Sequence, residues 1–142
     1  MGNKESEPIG FELVRDTIQI LSDHNNNHTI IISTLLSTDQ QCLIQFTKSP
    51  EEEEKLLNEL MERRSLIRII ILYGKNCRDL TVSKKVEQLK MLGILSQVKI
   101  QIYGGGLFEW LLLQEIYGQE LFKTMECGKS TEQKTVDLLK YK

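Results

Sequence analysis

Residues 67–110 limit what this chain can become more than any other stretch. Ile67, Ile69, Ile70, Ile71 and Leu72 form a near-continuous apolar run, which suits a parallel strand covered on both sides better than a strand with one wet face. A tight polar loop follows, Gly74-Lys75-Asn76-Cys77-Arg78-Asp79. Val82, Val86, Leu89 and Leu92 then recur at helical spacing with Lys84, Lys85, Glu87 and Lys90 between them. Gly93 stands in the helix C-cap position, Val98, Ile100 and Ile102 make a second strand, and Gly104, Gly105 and Gly106 turn the chain into another helix. Strand, helix, strand is a βαβ unit, so the expected class is α/β, with a mainly parallel central sheet and helices on both faces. In such sheets ligands bind at the carboxyl ends of strands and at helix N-termini. Any site therefore falls in residues 74–79.

The remainder of the chain supplies the flanking elements. From Pro8 onward, Phe11, Val14, Ile18 and Leu21 recur at three- and four-residue spacing, which predicts an amphipathic helix. An asparagine-rich turn over residues 22–28 ends it. Residues 29–34 read as the first strand and residues 42–46 as the second. Ser49-Pro50-Glu51-Glu52 is a helix start with serine as N-cap, proline at the first position and glutamate closing a capping box. The run of glutamates at 51–54 favours the positive end of that helix dipole, and is read as a solvated helix start rather than a cation site. Leu56, Leu57, Leu60 and Met61 give its buried face, and Arg63-Arg64 its end. Residues 107–116 are apolar enough to be a core helix. Beyond Thr124 the pattern weakens and Gly128-Lys129 breaks the chain, although Ser130 and Gln133 can cap a short final helix carrying Val136, Leu138 and Leu139. The expected division is a leader at 1–8, a domain at 9–124 and a tail at 125–142.

Bulk properties exclude several classes. The chain has 142 residues and a net charge of −2, enough for one domain with its own core and no basic excess for nucleic acid. No run reaches the roughly 20 apolar residues of a membrane span, and no secretory leader is evident, so a cytoplasmic location is expected. Cys42, Cys77 and Cys127 are odd in number and far apart, which predicts free thiols in a reducing compartment. Met1-Gly2 with Ser6 fits the myristoylation pattern. Membrane association is expected only if Gly2 carries that lipid, and one such chain binds weakly. His24 and His28 are separated by an asparagine run with no cysteine nearby, so no metal is expected. The three glycines match no phosphate-binding motif, and no cofactor is implied.

A strand ending in Tyr73, a six-residue turn with an arginine, a helix ending at Leu92-Gly93, a strand, and then Gly105-Gly106-Leu107-Phe108-Glu109-Trp110 together resemble the C-terminal half of a rhodanese-like domain. The resemblance spans residues 9–124 and implies the rhodanese-like fold. In that family the strand leads into a cysteine that opens the active-site loop and carries a persulfide. Gly74 occupies that position here. The family's first strand ends in an Asp-x-Arg pattern, and the corresponding residues here are Ile32-Ser33-Thr34.

With no nucleophile at 74, the resemblance implies a non-catalytic module that binds a protein partner or a small anion, within a larger assembly or at a membrane surface. For the anion, Gly74, Lys75, Asn76, Cys77, Arg78 and Asp79 form the expected cradle. Its N–H groups converge, Lys75 and Arg78 add charge, and Asp79 caps the next helix. The alternative is a sulfurtransferase or related thiol enzyme using Cys77 as persulfide carrier, since the nearby helix N-terminus favours its thiolate. A phosphatase is a weaker expectation, because the loop lacks a cysteine at its start.

Overall fold

The computed structural model describes residues 6–24, 28–35 and 42–125. The elements run β1 (Glu7–Ile9), α1 (Phe11–His24), β2 (Thr29–Ser33), α2 (Pro50–Met61), β3 (Ile69–Tyr73), α3 (Thr81–Met91), β4 (Lys99–Tyr103) and α4 (Gly106–Tyr117). The four strands form one sheet in the order β1-β4-β3-β2, and every pairing is parallel. The α/β architecture expected from the apolar run is therefore the one observed.

The alternation along each strand explains why that run has no polar face. Ile31, Ile71, Tyr73 and Tyr103 point into one core with Val14 and Ile18 of α1 and Leu107, Trp110 and Leu111 of α4. Ile30, Ile32, Ile70, Leu72 and Ile100 point into the other, with Leu57 and Leu60 of α2 and Val86 and Leu89 of α3. β2, β3 and β4 thus bury both faces, and alternate positions serve different helix pairs, whereas no residue of the edge strand β1 is fully buried. An ion pair between Glu53 and Lys85 ties α2 to α3.

Helix ends follow the sequence signals closely. Ser49 Oγ accepts from the Glu52 amide at 3.2 Å and Glu52 returns an acceptor to the Ser49 amide at 2.9 Å, completing the capping box. Gly93 sits just past α3 with φ +75°, the left-handed geometry that glycine adopts without strain.

Three expectations are corrected. The first described element is a strand, β1, which takes in Glu7 and Pro8, and the helix expected from Pro8 begins at Phe11. The Glu7 carboxylate accepts from Gln101 Nε2 at 3.1 Å and pairs with Lys99 Nζ at 3.0 Å, fastening this short edge to β4. Three residues carry too little periodicity to announce a strand, and proline is tolerated on an edge.

Residues 42–46 do not form the second strand. They make a turn with single bridges, Ile44 to Thr124 and Ile31 to Thr47. The buried Tyr73 hydroxyl holds this turn, accepting from the Ile44 amide at 3.1 Å and bonding Thr47 Oγ1 at 2.7 Å. Phe46 adopts φ +71° there, which an extended strand cannot accommodate.

Cys42 is disulfide-bonded rather than a free thiol, and its partner lies outside the described residues. Spacing along the chain concealed this, because only the folded chain brings residues 43–45 against 123–125, through the Met125 amide to Leu43 O and the Gln45 amide to Lys123 O. The expected Gly2 lipidation and the short C-terminal helix also lie outside the described residues.

Tyr73→Phe is expected to cost about 1–3 kcal/mol, because it strands the Ile44 amide without its buried acceptor. Urea unfolding of the two proteins measures the difference, and an unchanged midpoint would show that the hydroxyl does not hold the turn.

Candidate functional site

Residues 74–79 leave the carboxyl end of β3, between the start of α3 and the start of α4. Two close contacts position them. The Leu107 amide donates to Gly74 O at 2.9 Å and the Phe108 amide to Lys75 O at 2.8 Å. The first N–H groups of α4, which a helix cannot satisfy internally, are thus taken by carbonyls of the loop. Gly106 makes this approach possible. It has φ +68°, and a Cβ there would lie 2.7 Å from Gly74 O and 2.9 Å from the Asn76 amide. Gly104 has nothing within 4 Å of its Cβ position, so of these two glycines only Gly106 is required by close packing.

Within the loop, Asp79 is the hub. Its Oδ2 accepts from the Lys75 amide at 2.8 Å. Its Oδ1 accepts from the Thr81 amide at 2.9 Å and the Thr81 hydroxyl at 2.6 Å. Thr34, at the end of β2, places its hydroxyl 2.7 Å from Thr81 Oγ1. The Thr81 proton is directed to the carboxylate, and Thr34 Oγ1 lies within reach of both Thr81 Oγ1 and, at 3.4 Å, Tyr73 O. A relay Thr34 to Thr81 to Asp79 therefore links β2 to the loop. Burial raises the Asp79 pKa, but the Thr81 hydroxyl, the Lys75 and Thr81 amides and the Lys75 charge outweigh it and hold the value below the usual aspartate range.

The expected site residues divide into two groups. Gly74 and Asn76 are buried, with Asn76 Oδ1 accepting from the Arg78 amide at 2.9 Å and Asn76 O accepting from the Asp79 amide at 3.2 Å. Cys77 and Arg78 are exposed, while Lys75 and Asp79 are partly buried. Leu80, directly after Asp79, is 73% exposed. The space above Gly74 is filled: a Cβ there would lie 2.5 Å from Asp79 Oδ2, 2.8 Å from its Cγ and 2.9 Å from Val82 Cγ2. A side chain of any kind at 74 has to displace the carboxylate.

Sequence reasoning missed Thr34, Thr81 and Gly106 as parts of this arrangement. Asp79 was expected to cap α3; the cap position is instead Leu80, which makes no side-chain cap bond, and Asp79 one residue before it accepts from the Thr81 amide. The contact between Thr34 and Thr81 crosses 47 residues and left no signal in spacing. The strand-to-helix turn at residues 104–106 was legible, but which glycine makes the close contact was not.

On the opposite end of the sheet, His28 Nδ1 lies 3.0 Å from Leu66 O. Among the described residues no group of three or more His, Cys, Asp or Glu side chains could hold a metal ion. None of the described helices is long and apolar enough to cross a membrane.

Comparison with known proteins places the fold. No protein-family model matches the chain, and no curated protein matches it. Solved structures do. The chain is similar to Ygr203w of Saccharomyces cerevisiae, described as a homologue of single-domain rhodanese and of the Cdc25 phosphatase catalytic domain, with TM-score 0.58 and 13% identity over 80% of this chain and 84% of that one. A second structure of Ygr203w, described as a yeast protein tyrosine phosphatase of the rhodanese family, gives TM-score 0.56 and 14% identity over 82% and 89%. The BH2092 protein of Bacillus halodurans gives 0.51 and 15% over 92% and 89%. The architecture of this chain is the rhodanese-like fold, as the resemblance implied.

Two measurements test the site geometry. Gly106→Ala is expected to destabilise the protein by about 2 kcal/mol or more, through left-handed strain and backbone contact, whereas Gly104→Ala stays within about 0.5 kcal/mol. Equal effects in denaturant melts would mean the clasp between loop and α4 is not tight.

The Asp79 carboxylate gives a pH signature. Its native pKa lies below its unfolded value, so its stabilisation is fully present above the unfolded value of about 4 and disappears as pH falls through the native one. Asp79→Asn is expected to remove that acid-dependent loss in unfolding experiments between neutral pH and pH 3, with parallel curves for both proteins refuting the assignment.

Proposed function

We propose that this chain is a non-catalytic rhodanese-like domain that serves as a protein-interaction module. One observation carries the reading: the position where the loop leaves β3 is a buried glycine whose side-chain space is already taken by Asp79 and Val82. A thiolate there has to displace the Asp79 carboxylate and the Val82 methyl. The loop's thiol belongs to Cys77, which is exposed, outside the donors gathered around Asp79. Phosphatase chemistry belongs to the yeast protein as described, and nothing in the present loop supplies the leading nucleophile for it.

Protein contact is favoured over anion binding for two reasons. The Lys75 and Thr81 amides and the Thr81 hydroxyl already serve a carboxylate, so an incoming small anion has to compete with it. The rim beyond them carries exposed Cys77, exposed Arg78 and the outward Leu80. Exposed Arg78, of a residue type enriched at interface centres, with exposed Leu80 two residues on, offers mixed polar and apolar contact.

The enzymatic alternative is a sulfurtransferase in which Cys77 carries the persulfide. Purified protein incubated with thiosulfate and cyanide separates the two. No thiocyanate above the protein-free rate is expected, and Cys77→Ser is expected to behave identically. Turnover that Cys77→Ser abolishes would establish the enzyme and remove the module reading. For the interaction itself, proteins co-purifying with the wild type from its native source are expected to be lost with Leu80→Glu and retained with Met91→Glu, another exposed apolar position on the same helix side of the fold. Retention in both variants would place the interface elsewhere.

A further inference from the structure

We propose that Asp79 is the loop's own ligand: its carboxylate occupies the seat formed at the end of β3 and closes that seat to oxyanions from solution. This deepens the non-catalytic reading and rests on the same loop, but it makes a separate claim about what fills it.

The seat is defined by converging donors and by shape. The Lys75 amide, the Thr81 amide and the Thr81 hydroxyl approach at 2.8, 2.9 and 2.6 Å, lengths usual for charge-assisted bonds to an anionic oxygen. A second hydroxyl, from Thr34, stands behind the first at 2.7 Å and orients it. The walls are Gly74, whose missing side chain leaves the carboxylate its place, and Val82.

Asp79 closes this seat more effectively than a dissolved anion could. It is tethered four residues from the Lys75 amide, so it competes at the effective concentration of an intramolecular group, which for short linkages reaches millimolar or above. Negative charge is already in place, so a second anion also meets repulsion. The neighbouring helix start offers no vacancy either, since the Leu107 and Phe108 amides are bonded to Gly74 O and Lys75 O. Gly74 and Asp79 thus act as one unit: the absence of a side chain at one position makes room for the carboxylate of the other.

The test uses the full chain and inorganic phosphate, with sodium chloride at matched ionic strength as reference. In wild type, phosphate is expected to leave the melting temperature and the Lys75 and Thr81 amide resonances where chloride leaves them. Asp79→Ala is expected to melt lower, to recover part of the loss in millimolar phosphate but not in chloride, and to show saturable shifts of those two amides. Equal phosphate responses in wild type and Asp79→Ala would show the seat is open. No response in either would show that there is no seat.

Should Asp79→Ala fail to fold in chloride, its refolding yield in phosphate replaces the melt. Rescue supports the proposal, and the lack of it overturns it. A second arm needs no ligand: Gly74→Ala is expected to lower the melting temperature strongly in wild type and much less in an Asp79→Ser background, and additive effects would refute the coupling. Sulfur transfer through Cys77 would overturn the non-catalytic reading and leave these results standing. Phosphate binding by wild type would do the reverse.

Discussion

The close approach of the 74–76 backbone to the first turn of α4 is the constraint on which the site depends. Two hydrogen bonds make it, from Leu107 and Phe108 to Gly74 and Lys75, and Gly106 permits it by having no Cβ between them. The bonds satisfy donors that a helix start always leaves over, so the contact serves α4 and the loop together. It also fixes the direction in which the loop turns. With its carbonyls drawn toward α4, the Lys75 amide is left to meet the Asp79 carboxylate on its other side.

Electrostatics then decide the chemistry of the loop. A turn at the end of a parallel strand gathers N–H groups and a helix N-terminus, an arrangement that favours negative charge. In a thiol enzyme that field stabilises a thiolate. In this chain it acts on a carboxylate that belongs to the loop itself, and the lowered Asp79 pKa is the mark of that pairing. Gly74 and Asp79 form one packing unit, since the carboxylate sits where a side chain at 74 would begin. What remains outward is the exposed rim of Cys77, Arg78 and Leu80.

A similar economy of contact shapes the opposite edge of β2. The Tyr73 hydroxyl, buried on the α1 and α4 side, reaches past the sheet to hold Ile44 and Thr47, and the 43–45 segment in turn meets 123–125. Trp110 Nε1 and Gln114 Nε2 bind Lys123 O and Phe122 O at 2.9 and 2.8 Å, so the end of the described chain is drawn against α4. These contacts join residues far apart in sequence, and they explain why a stretch rich in strand-forming residues became a turn.

Local physics alone determined much of this protein. The unbroken apolar run at 67–72, the capping box at Ser49, and the glycines at 93 and 104–106 each encode a conformation through neighbours within a few residues. They sufficed for an α/β sheet and for the turn that carries residues 74–79 from β3 to α3. Tertiary structure decided the rest: the short edge strand at Glu7, the fate of residues 42–46, the disulfide at Cys42, and the choice of Asp79 as the group that fills the space above Gly74. Each of those depends on which groups the folded chain brings together once the sheet has closed. That grouping is set by contacts across dozens of residues, and no window of sequence contains it.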